Sequence, residues 1–77
     1  MASTTATISD NLRALMGIRQ ATVTALAREL GVARNTASLY VNGKQPMNTD
    51  QLAAAARWLG VEVHEFFREE VYKLSAA

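Results

Sequence analysis

From Ile8 the apolar residues Ile8, Leu12, Leu15 and Met16 recur at i, i+4, i+7 and i+8, the spacing of one helical face, and predict a first helix ending near Arg19. Val23, Leu26, Ala27 and Leu30 share a face of a short second helix, with Thr22 as its N-cap and Gly31 where a terminal glycine belongs. A third helix is predicted from Arg34 to about Asn42. Ala37, Tyr40 and Val41 form its apolar side, Arg34, Asn35, Ser38 and Leu39 lie off that side, and Asn42-Gly43 ends it. Pro46 interrupts the next stretch, and Asn48 with Gln51 reads as a capping box for a fourth helix, Thr49 to Leu59, closed by Gly60. Val63, Phe66, Phe67, Val71 and Leu74 keep helical spacing, so a fifth helix is expected from about Val63 to near the C-terminus. Residues 1–7 lack charge and apolar periodicity and read as a disordered leader whose last Thr caps helix 1. Residues 8–77 read as a single all-α domain.

A chain of 77 residues, 49% hydrophobic, can close one core. Such a core supplies only about 3–5 kcal/mol unless disulfides, metal or self-association add to it. Cysteine is absent and histidine occurs once, which leaves no disulfide framework and no ordinary structural zinc site, so association is the remaining device. No apolar run approaches the roughly 20 residues of a membrane helix, and the N-terminus lacks the pattern of a signal peptide, so a cytoplasmic protein is expected. No cofactor is implied. Neither a nucleophile, base and orienting group in catalytic spacing nor a glycine-rich phosphate loop is present, so no enzyme is expected. His64 beside Glu62 and Glu65 reads as a solvated side chain, and Trp58 as core or its edge.

The net charge of +1 says little, but its distribution says more. Residues 11–49 carry Arg13, Arg19, Arg28, Arg34 and Lys44 against Glu29. Residues 50–77 carry Arg57, Arg68 and Lys73 against Asp50, Glu62, Glu65, Glu69 and Glu70. One half can face phosphates and the other cannot.

Two short helices joined by a glycine-containing turn cross steeply where a small residue permits close approach, and Ala27 is that residue. Leu26, Leu30, Val32, Ala37 and Tyr40 then close the core, and the opposite side of helix 3 projects outward with the dimensions of a major-groove reader. Arg34 can donate twice to guanine, Asn35 can pair two-fold with adenine, and Leu39 can meet a thymine methyl. Thr36 and Ser38 can contact bases or backbone. Thr22 at the start of helix 2, and Asn42, the Gly43 amide and Lys44 after helix 3, bracket these residues as expected phosphate contacts.

The segment Thr22-Val23-Thr24-Ala25-Leu26-Ala27-Arg28-Glu29-Leu30-Gly31-Val32-Ala33-Arg34-Asn35-Thr36 carries a family likeness, together with Asn42-Gly43-Lys44 and Leu59-Gly60-Val61 through Phe66-Phe67. Over residues 8–67 the chain resembles the lambda-repressor and Cro-type (XRE-like) helix-turn-helix family in its compact five-helix form. The resemblance implies that the start of helix 3 reads bases and that Asn42 and Lys44 meet phosphates. Val23 replaces a family Gln that touches DNA, Ala33 replaces the usual Ser or Thr cap, and Ala37 is smaller than the usual branched residue. Met16 and Val41 stand where many relatives pair an Arg with a Glu, and their joint change to apolar types fits packing of helix 1 on helix 3. By the same resemblance the chain is expected to act as a phage Cro-type or related bacterial repressor, binding a partly palindromic double-stranded DNA operator as a homodimer. Val71, Tyr72 and Leu74, beyond the family's usual end, are candidate dimer contacts. The alternative is the antitoxin of a toxin-antitoxin pair, with the acidic half holding a partner toxin.

Overall fold

The computed structural model describes residues 3–68. Its first helix, α1, runs over Thr4–Ile18, a turn earlier than the apolar spacing predicts. The cap is Ser3 and not Thr7: its hydroxyl accepts the Ala6 N–H at 3.1 Å, which satisfies a first-turn amide that would otherwise lack a partner. Residues 4–7, assigned to the leader from sequence, are therefore helical. Thr5 and Ile8 line a shallow groove with Tyr40, Gln45, Pro46 and Met47, so the added turn lies beside the segment that follows the third helix.

Helices α2 (Val23–Leu30), α3 (Arg34–Val41) and α4 (Thr49–Leu59) follow close to the boundaries that the sequence predicts. Thr22 accepts the Ala25 N–H at 3.1 Å. Asn48 and Gln51 exchange side-chain and backbone bonds of 2.8 and 2.9 Å as a capping box. Between α2 and α3, Gly31 takes a left-handed conformation (φ 68°). The Val32 N–H returns to the Ala27 carbonyl at 3.0 Å, a reversal that a side chain at position 31 would strain.

The core is built from Leu12, Leu15 and Met16 of α1, Leu26 and Ala27 of α2, Ala37 of α3, and Ala55, Ala56 and Leu59 of α4, with Phe66 closing it. Ile8, Val23, Leu30, Val32, Val41, Leu52 and Trp58 pack around that cluster half-buried, which places Trp58 at the core's edge. Ala27 and Ala37 are both buried, and small side chains at these two positions let the backbones of α2 and α3 come close.

The fifth element corrects the sequence reading. A 3-10 segment, Val63–Phe67, stands where a long α-helix was expected, so the described residues form four α-helices and a short 3-10 turn. Arg68 is extended (φ −78°, ψ 131°) and ends the segment. The segment is tied to α1. The buried Asn11 amide donates to the carbonyls of Phe66 and Arg68, each at 2.6 Å. Phe66 is fully enclosed, whereas Phe67, expected on the same face, is 45% exposed. The remainder of the expected helix, with Val71, Tyr72 and Leu74, lies outside the described residues.

Candidate nucleic-acid interface

Helix α3 presents Ala37 and Tyr40 to the interior and Val41 to its margin. At about 3.6 residues per turn, Asn35, Ser38, Leu39 and Asn42 then form a continuous stripe on the opposite side. Asn35 and Asn42 are exposed, Leu39 is 40% exposed, and Ser38 is half-buried. Asn42 Nδ2 donates to the Ser38 hydroxyl at 3.2 Å, which orients two polar groups of the stripe with respect to each other. Arg34 and Thr36 flank the stripe, Arg34 exposed and Thr36 half-buried.

Arg34 opens α3, and its Cβ therefore inclines back toward the turn and toward α2. Its Nε donates to the Thr24 hydroxyl of α2 at 3.2 Å. Ala33, the N-cap residue, has extended dihedrals and makes no side-chain capping bond, which leaves the first amides of α3 without a protein side-chain acceptor.

Beyond α3, the chain leaves through a tight reversal. Gly43 is left-handed (φ 71°), its N–H donates to the Tyr40 carbonyl at 3.2 Å, and the Lys44 N–H donates to the Leu39 carbonyl at 2.9 Å. The Gly43 amide thus already has an acceptor within the turn. The donors at this end are the Asn42 side chain and the Lys44 ammonium, both on exposed residues. Gly43 is required for another reason as well: a Cβ there would lie 2.8 Å from the Ser9 hydroxyl of α1. At the other end of the helix pair, Thr22 is exposed at the start of α2.

Two features were not legible beforehand. The Thr24–Arg34 bond joins residues ten apart on different helices, and no local pattern announces it. Arg13, counted as a cation facing phosphate, is engaged within the protein. Its Nη1 donates to the Val41 carbonyl at 2.8 Å and its Nη2 pairs with Asp10, tying α1 to the end of α3. The i, i+3 spacing of Asp10 and Arg13 was the available signal.

Among the described residues no group of three or more His, Cys, Asp or Glu could hold a metal ion, and no helix is long and apolar enough to cross a membrane. The anchored first helix, glycine turn and projecting second helix define a helix-turn-helix, the arrangement of a class of DNA-binding domains. Comparison with known protein families matches residues 11–70 to the Cro/C1-type HTH DNA-binding domain, and the chain belongs to that family. Comparison with curated proteins and with solved structures gave no match.

Proposed function

We propose that this DNA-binding regulatory protein is a sequence-specific repressor of the phage Cro type or a related bacterial type, which occupies a partly palindromic operator as a homodimer. Helix α3 enters the major groove. Arg34 and Asn35 read base edges, with Leu39, Ser38 and Thr36 beside them, while Thr22, Asn42 and Lys44 hold the flanking phosphates. The observation that carries this reading is the exposed stripe of α3 with Arg34 at its head, on a helix whose other side is anchored in the core. The described residues of one copy span 31 × 24 × 19 Å. Half-sites about 34 Å apart call for two.

Selection of bound duplexes from a random DNA pool tests the proposal. Arg34→Ala is expected to relax preference at particular base pairs. Lys44→Ala is expected to weaken all sequences alike and to lower the salt slope by about one. Unchanged selections and affinities for both variants would overturn the assignment.

A further inference from the structure

We propose that Thr24 is a positioning residue for base reading: its hydroxyl holds the Arg34 guanidinium at Nε and leaves the paired Nη groups as the fork that meets the base. The inference rests on the base-reading role of Arg34 proposed above.

Among the described residues, the bond from Arg34 Nε to Thr24 Oγ1, at 3.2 Å, is the side-chain hydrogen bond that Arg34 makes. The other engaged arginines serve the fold: Arg13 binds Asp10 and the Val41 carbonyl, and Arg68 lies 3.9 Å from Glu65. Arg34 differs in being held through Nε, the donor nearest the chain, with both Nη groups left over.

A guanidinium is planar and carries five donors, and it can address two acceptors either side-on, through Nε and one Nη, or end-on, through both Nη. Engagement of Nε removes the side-on option. The end-on fork that remains matches two neighbouring acceptors on one base edge, as on guanine O6 and N7. Placement matters equally. Arg34 lies at the flank of the α3 stripe and at the end of the helix, so a free side chain would sweep a wide arc of solvent. An anchor on α2 restricts that arc before DNA arrives, and preorganisation of this kind favours the bound geometry by reducing the rotamer freedom lost on binding.

Threonine suits the task because β-branching limits χ1 within a helix, so the acceptor oxygen has few positions to choose from. The bond is also local to α2 and α3, the two elements whose mutual approach the buried Ala27 and Ala37 permit.

The experiment uses the full chain with a duplex selected by the unaltered protein, and with a second duplex changed at the base pair whose preference Arg34→Ala relaxes. Thr24→Val keeps shape and β-branching but removes the acceptor. It is expected to reduce discrimination between the two duplexes about fivefold, the ratio that a hydrogen bond of ordinary net strength supports. Melting temperature should fall by no more than about 5 °C, and the salt slope should not change. Thr24→Ser should restore much of the discrimination, and Thr24→Val added to Arg34→Ala should alter it no further.

Two results overturn the proposal alone, provided that Arg34→Ala relaxes one position: Thr24→Val discriminating like the unaltered chain, or weakening both duplexes equally. Should Arg34→Ala relax no position, the base-reading role of Arg34 fails and this inference fails with it.

Discussion

At the scale of single residues, the contacts that shape this protein are made by side chains whose identities alone do not declare their task. Asn11 looks like a polar interruption of an apolar helix face, yet it is buried and collects two carbonyls from the far end of the described chain. Gly43 reads as a turn former, and it is also the point where the chain passes over Ser9. Met16 and Val41 illustrate a paired change. Met16 is a core member and Val41 packs half-buried against the same cluster, so neither position offers a charge a partner. Val41→Glu would leave a carboxylate against that apolar wall and is expected to destabilise the domain by about 2 kcal/mol. For a domain this small that corresponds to a fall in melting temperature on the order of 10 °C, measured by circular dichroism. An unchanged melting temperature would contradict the packing of α1 against α3. The expectation that both positions turn inward was legible because apolar replacement of both partners is tolerated where loss of one is costly. The Thr24–Arg34 and Asn11–Phe66 bonds were not legible, since each joins residues that only the fold makes neighbours.

At the scale of elements, the helices divide by how their ends are satisfied. α1, α2 and α4 each begin with a side chain that accepts a first-turn amide, Ser3, Thr22 and Asn48. α3, the helix proposed to enter DNA, has no such cap because Ala33 occupies the position. Its backbone there is already extended, the conformation a capping residue adopts (φ −68°, ψ 152°). Ala33→Ser is therefore expected to raise stability by about 1 kcal/mol, seen as a higher midpoint in urea with an unchanged slope. No gain would mean that the α3 amides are already satisfied. Element ends also explain where sequence boundaries held. Gly31 and Gly60 stop α2 and α4 as their positions predict. The end of α1 carries no such signal: Gln20 takes the left-handed conformation (φ 55°) at some backbone cost, and the Ala21 N–H closes the turn on the Met16 carbonyl at 2.8 Å.

At the scale of the whole molecule, the charge asymmetry read along the chain becomes a more local arrangement. Arg13 is drawn into the fold, while Arg34 and Lys44 remain exposed at the two ends of α3. The proposed interface thus depends on a few placed donors and not on a broad basic field, in keeping with a net charge of +1. Self-association belongs to the same scale. Residues 71–77 include Val71, Tyr72 and Leu74, the candidate dimer contacts. Deletion of residues 71–77 is expected to weaken dimerisation in analytical ultracentrifugation while α1 to α4 stay folded by circular dichroism. Undiminished association would move the dimer surface elsewhere on the molecule.

The amino-acid sequence by itself determined the helical class, the Thr22 and Asn48 caps with the glycine stops of α2 and α4, the inward faces of α1 to α3, and the family likeness that the match over residues 11–70 bears out. These follow from periodicity and from short-range hydrogen bonding, which a chain carries in its local order. Tertiary structure alone decided that Asn11 would bind the Phe66 and Arg68 carbonyls, that Arg13 would bind the end of α3, and that Thr24 would hold Arg34. Each of these depends on a side chain reaching a group 10 to 57 positions away, a distance over which no local propensity acts.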